Sequence, residues 1–115
     1  MKTFRMNIDK VYFDNVRNQT KIHEYRLANE KRRLIKVGDL INLTLKDMSD
    51  FELVEVKDIH FYPSWREAFE STENYLDDFK DICNNIDEVL ERVKAFYNED
   101  DVKKYGIVVF DIKKI

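Results

Sequence analysis

The chain of 115 residues has one cysteine, one proline and two glycines, and each scarcity excludes something. A lone Cys83 forms no intramolecular disulfide and by itself no metal site. With only His23 and His60 beside it, a closed zinc site would need carboxylate ligands, and no metal or cofactor is expected. No apolar run approaches the roughly 18 residues of a membrane span. The opening MKTFRMNIDK has no apolar h-region of a secretory signal. The expectation is a soluble, cytoplasmic chain with no membrane partner. Without a Gly- or Pro-rich linker, a repeat or a low-complexity stretch, residues 1–115 read as a single domain.

What is present can fill a core. Hydrophobic residues make up 43% of the chain and aromatics 13%. The 37% charged fraction is high, but eight Phe and six Tyr are not the composition of a disordered segment. The net charge of −3 hides an asymmetry. Between Arg17 and Lys36 seven Lys and Arg stand against two Glu; between Glu67 and Asp101 twelve acids stand against three cations. Such a dipole either steers an anionic ligand toward the first half and away from the second or is the ordinary charge fluctuation of a solvated surface.

Patterning then gives the elements. Phe4, Met6 and Ile8 alternate with polar residues, as in a half-buried strand. Asp9 can cap a short helix with Val11, Tyr12 and Val16 on one face, broken at Asn18-Gln19-Thr20. Lys21–Leu27 alternates again, with His23, Tyr25 and Leu27 on one side and Ile22, Glu24 and Arg26 on the other. Val37-Gly38-Asp39 turns the chain into the strand Leu40–Leu45, and a hairpin loop leads to a long strand, Phe51–Tyr62. Pro63 ends it, and Ser64-Trp65-Arg66-Glu67 has the form of a capping box. Apolar residues at helical spacing run from Tyr75 to Tyr97, divided at Asn84-Asn85. Asp100–Lys104 reads as a solvated connection into a last strand, Ile107–Ile112. The order β-α-β-β-β-α-α-β predicts an α+β fold: a small mixed, mostly antiparallel β-barrel with flanking helices.

The ions of Lys21–Arg26 carry the functional reading. Glu24 and Arg26 point the same way from one strand, with Lys21 just upstream. Inside a barrel such charges cannot stay unpaired, because burying a lone ion costs several kcal/mol. They pair, open to water, or meet a polar ligand. Between two cations Glu24 is expected to stay ionised and accept N–H groups, while Lys21 and Arg26 take phosphate, carboxylate or carbonyl oxygens. The plain alternative is a structural salt bridge on a solvent-facing strand. Lys31, Arg32, Arg33 and Lys36 can grip phosphates or simply be solvated. Tyr25, Phe61, Tyr62 and Trp65 can stack on a base or pack the barrel. His23 and His60 read as packed, satisfied histidines. Cys83, among acids that raise its pKa, reads as unreactive, and the acid run as the outer face of helices.

The run Lys21-Ile22-His23-Glu24-Tyr25-Arg26-Leu27-Ala28-Asn29-Glu30-Lys31-Arg32, followed by Ile35-Lys36-Val37-Gly38-Asp39-Leu40-Ile41, resembles the ASCH domain signature. There a Lys-Thr-Ile-Glu-x-Arg-Leu stretch precedes a charged turn and a Gly-Asp-x-Ile strand entry. Phe61–Trp65 and Lys104–Ile112 resemble the family's helix start and ending. The resemblance implies a PUA-like barrel with a cleft at Lys21, Glu24 and Arg26, and RNA, a nucleotide or a nucleoside as ligand. One branch is similar to acetylcytidine amidohydrolases. Here Lys21 matches the catalytic Lys, but Glu24 stands where that branch has its nucleophilic Thr, and Ile22 where the signature has Thr.

The expectation is a binding module for RNA or a nucleotide, with ligand contacts from Lys21, Glu24, Arg26, Lys31, Arg32, Tyr62 and Trp65. Net acidity argues for a short single-stranded segment or a free nucleotide, and no DNA duplex is expected. The enzyme alternative is an amidohydrolase of N-acylated pyrimidine nucleosides, with Lys21 and Glu24 catalytic through an activated water. A protein-interaction adaptor using the acidic helical face is the third reading.

Overall fold

The computed structural model describes all 115 residues. Five strands form one sheet: β1 (Thr3–Ile8), β2 (His23–Leu27), β3 (Leu40–Leu45), β4 (Phe51–Tyr62) and β5 (Ile107–Lys114). Their spatial order is β1-β3-β4-β5-β2. β1 pairs with β3 in parallel, and the other three pairings are antiparallel. The sheet curls into a half-barrel whose two edges are β1 and β2. Four helices accompany it: α1 (Lys10–Arg17), α2 (Trp65–Glu70), α3 (Ile86–Lys94) and α4 (Glu99–Tyr105).

Alternation puts a separate core on each face. One holds Met6, Ile8, Phe13, Val16, Ile41, Leu43, Val54, Val56, Val108, Phe110 and Ile112. The other lies under the helices and holds Tyr25, Leu27, Trp65, Phe69, Phe79, Val89, Val93, Ile107 and Val109. β5 contributes to both by turns, which is why its sequence is a continuous apolar run buried on both faces. Phe13, Phe69 and Phe110 are fully buried. Each such side chain contributes about 1.5–3 kcal/mol by leaving water.

Local chemistry sets the ends. Gly38 takes φ +94°, and Asp39 then accepts the backbone N–H groups of Lys2 (2.9 Å) and Lys36 (2.8 Å), fastening the start of β1 to the entry of β3. Ser64, Asn85 and Asn98 cap α2, α3 and α4, accepting from the backbone N–H groups of Glu67, Glu88 and Asp101.

Several expectations need correction. Asp9 precedes α1 but makes no cap bond; its carboxylate pairs with Lys46 at 2.8 Å. In α1 Phe13 rather than Val11 faces inward, and Val11 is exposed. The Tyr75–Tyr97 segment is a short 3₁₀ helix, Tyr75–Phe79, an irregular stretch, and then α3. Residues 100–104 are not a loop but most of α4, whose polar surface carries no apolar stripe and whose Asn98 cap was the readable sign. Asp78 departs from the solvated acid face: it is completely buried.

Candidate functional site

β2 is an edge strand preceded by a turn in which Gln19 takes φ +62°. The backbone N–H groups of Thr20 and Lys21 both donate to the Asn15 carbonyl, setting Lys21 at the strand's mouth. The cross-strand pairs Glu24–Phe110 and Arg26–Val108 place Glu24 and Arg26 on the first core's face. His23, Tyr25 and Leu27 take the helical side.

The three ionic groups converge. Arg26 Nε donates to Glu24 Oε1 at 3.1 Å, and Lys21 Nζ stands 3.8 Å from Glu24 Oε2. Lys21 and Glu24 are each only 5% exposed, so this is not a bulk-water surface pair. Lys21 Nζ also donates to the His23 carbonyl and lies 5.1 Å from the Tyr25 ring. Arg26 reaches across the sheet opening, donating from its terminal nitrogen to the Asn7 carbonyl of β1 at 2.7 Å. An edge carbonyl and the opposite edge strand are thus joined by one guanidinium. Burial works against the Arg26 charge, but Glu24 and Tyr97 outweigh it and its pKa is raised. Glu24 Oε2 is buried and has no hydrogen-bond partner. An orphan acceptor costs about 1–3 kcal/mol or more.

Glu24 lines a cleft of about 270 Å³. Its walls come from Asn7, Ile8 and Asp9 at the end of β1, Tyr12 of α1, Lys46 of the hairpin, Arg92 and Val93 of α3, and Phe79, Phe96 and Tyr97. Phe96 is exposed, with Lys46 Nζ 5.9 Å from its ring. Burial pushes the Tyr12 hydroxyl upward, with Arg92 opposing. On the other side of Arg26 lies a second hollow of about 210 Å³, lined by Arg5, Asn29, Lys31, Arg32 and neighbours. Burial and the nearby Arg26 lower the pKa of Arg32.

The structure therefore brings together Lys21, Glu24 and Arg26, and sets Lys31 and Arg32 in the adjoining hollow. Arg32 also donates to the Leu27 carbonyl at 3.2 Å. It does not bring Tyr62 and Trp65 to the cleft. Trp65 packs in the helical core against Phe69 and Tyr97, and Tyr62 faces a different hollow. Of the four aromatics named as stacking candidates only Tyr25 lines the cleft; its other aromatic walls, Tyr12, Phe79, Phe96 and Tyr97, come from segments far apart in sequence, so no local pattern announced them. Thr20 is engaged with the Asn15 carbonyl, and the Tyr25 hydroxyl donates to Asp78 at 2.5 Å on the opposite face. Neither hydroxyl stands free in the cleft. Cys83 is buried, and burial first, then Glu88, raises its pKa against the pull of Arg92. His60 is partly exposed rather than packed.

An open curled sheet, with α1 on one face, α2 and α3 over the other, and an ionic cleft where its edges meet, defines the PUA-like class of barrel. Within that class the chain belongs to the ASCH domain family, whose model matches residues 6–115. The crystal structure of the hypothetical protein PH0355 is similar over the whole of both chains, at 32% identity and TM-score 0.84. The solution structure of PF0455 from Pyrococcus furiosus is 31% identical, covering 98% of this chain and 97% of that one, with TM-score 0.74. An ASCH domain from Lactobacillus crispatus shares the fold at 17% identity and TM-score 0.62, covering 98% of this chain and 78% of its own. Among curated proteins none matches the chain. No helix is long and apolar enough to cross a membrane.

Proposed function

We propose that the cleft binds a single nucleobase, presented by a free nucleotide or by a short single-stranded RNA segment. The observation that carries this reading is the unpartnered Glu24 Oε2, buried between two cations at the cleft's ionic edge. A carboxylate accepts only, so the ligand group it wants is an N–H, such as the exocyclic amine of cytosine. Tyr12, Phe96 and Tyr97 offer rings for the base, and base–aromatic stacking is worth about 1–3 kcal/mol per base. Lys46 and Arg92 sit in the same walls for a phosphate. The second hollow, with Arg5, Lys31 and Arg32, suits the next phosphate along a strand.

The test is titration of the protein with cytidine and guanosine monophosphates and with short single-stranded oligoribonucleotides at low salt. Binding should weaken at least tenfold in Glu24→Gln, which keeps the shape but replaces one acceptor oxygen by a donor. Absence of affinity at low salt for every one of these ligands would sink the reading. Incubation with acetylcytidine separates binding from catalysis. With no serine or threonine in the cleft lining the acylated nucleoside should be bound and recovered intact; turnover abolished in Lys21→Ala would make the site hydrolytic instead.

A further inference from the structure

Behind the cleft, on the helical face of the sheet, a row of ionisable side chains crosses three strands. Asp58 of β4 is directly opposite Asp111 of β5, and Asp111 is directly opposite His23 of β2. The register shift between Val56 and Asp58 is what creates the row, because it turns Asp58 and His60 onto the Asp111 face. Two carboxylates opposed across a ladder repel each other unless something positive lies between them. His60 Nε2 stands 3.4 Å from Asp58 Oδ2 and 3.6 Å from Asp111 Oδ2. Ligand atoms about 2.1 Å from a tetrahedral metal are separated by roughly 3.4 Å, so the two His60 spacings are those of adjacent coordination corners, and all three ligand atoms lie within 4.8 Å of one another.

A second observation is independent of that triangle. His23 is 8% exposed, and its Nδ1 is 2.9 Å from Asp78 Oδ2. Its Nε2 faces Asp111 Oδ1 at 3.7 Å, beyond hydrogen-bond distance, and the ring lines the same hollow as His60 and Asp111. A carboxylate holding the far nitrogen of a histidine is the arrangement that orients imidazoles around metals. Serine, threonine and asparagine of the loop 71–74, with Glu73, wall a hollow of about 350 Å³ over His23, His60 and Asp111, leaving room for a water ligand.

We propose that Asp58, His60 and Asp111 bind one divalent transition-metal ion of the zinc class, with His23 positioning Asp111 or supplying a further nitrogen. One or two imidazoles among carboxylates favour such ions over magnesium, which prefers an all-oxygen shell. The carboxylates that the histidine and cysteine count demanded for any zinc site are thus assembled by the fold. The site lies on the face of β2 opposite to Glu24, and its existence does not depend on the nucleotide reading.

Calorimetric titration of the full chain with Zn²⁺, and visible absorption after titration with Co²⁺, test the site. One ion should bind per chain, with intense Co²⁺ bands of four- or five-coordination. Affinity should fall at least a hundredfold in His60→Ala, whose side chain is partly exposed so that the fold persists. Asp111→Asn should behave alike, and His23→Gln should lose about tenfold. Zn²⁺ should raise the melting temperature of the wild type and leave that of His60→Ala unchanged. No uptake below millimolar Zn²⁺, unchanged affinity in His60→Ala, or displacement by equimolar Mg²⁺ would each overturn the proposal.

Discussion

The two faces of β2 carry carboxylates with opposite fates. On the helical face, Asp78 is completely buried and fully occupied. Its Oδ1 accepts the backbone N–H groups of Ile22 (2.8 Å) and His23 (3.2 Å), and its Oδ2 takes the Tyr25 hydroxyl and faces His23 Nδ1. On the cleft face, Glu24 is almost as buried, yet one of its oxygens accepts no hydrogen bond and has only the Lys21 ammonium 3.8 Å away. Both are acids held inside protein. The first is a tie that docks the 3₁₀ helix Tyr75–Phe79 onto the strand; the second is an acceptor held ready. A buried charge indicates function through what it leaves unsatisfied, not through burial itself.

Removing the tie should have the largest effect. Asp78→Ala strands two backbone N–H groups, a ring nitrogen and a hydroxyl, and should cost about 3–5 kcal/mol, read from the urea midpoint at unchanged slope. Glu24→Gln should cost about 1–2 kcal/mol, because Lys21 and Arg26 lose their shared anion but the cleft admits water. The ligand response should invert the ranking. A bound nucleotide should stabilise wild type by mass action and leave Glu24→Gln almost unmoved. If Glu24→Gln proved as damaging as Asp78→Ala, or raised stability with binding intact, the two faces would not differ as described.

This contrast explains what was readable beforehand. Strand alternation placed Lys21, Glu24 and Arg26 on one functional strand, and turn chemistry at Gly38 and Ser64 located β3 and α2, since those signals lie within a few residues. Asp78 was hidden because nothing in Tyr75-Leu76-Asp77-Asp78-Phe79 separates an inward aspartate from its outward neighbour; His23 and Tyr25, 55 and 53 residues away, decide it. Apart from Tyr25, the cleft's aromatics were hidden for the same reason. Trp65 and Tyr62 had suitable chemistry for stacking, but the core took Trp65 and a different hollow took Tyr62. The charge asymmetry likewise missed that Arg33 is spent on the Ala28 and Tyr105 carbonyls, at 2.7 and 2.8 Å.

The helical face should also show itself at high pH. Burial, and then the Asp78 charge, raise the Tyr25 pKa well above its ordinary value near 10. A raised phenol pKa leaves stability intact below pH 10; above it the unfolded chain ionises first and folding weakens. The slope is about 1.4 kcal/mol per pH unit for one such proton. Tyr25→Phe should start about 1 kcal/mol less stable at pH 7 and lose less between pH 10 and 11 than wild type does. Equal alkaline slopes in the two proteins would mean that Tyr25 ionises freely while folded.

The smallest effect separates the cleft's neighbours from one another. Lys31 is exposed on the wall of the second hollow and has no ion-pair partner, whereas Arg33 next to Arg32 is committed to two carbonyls and stacks 4.9 Å from the Phe61 ring. Lys31→Ala should therefore leave stability within about 0.5 kcal/mol of wild type. If its ammonium meets a phosphate of a bound single strand, the slope of log affinity against log salt should flatten by about 0.7. Arg33→Ala should do the reverse, lowering stability by about 1 kcal/mol at an unchanged salt slope. A flattened slope in Arg33→Ala, with none in Lys31→Ala, would move the phosphate path off the second hollow and onto the Arg33 side of the turn.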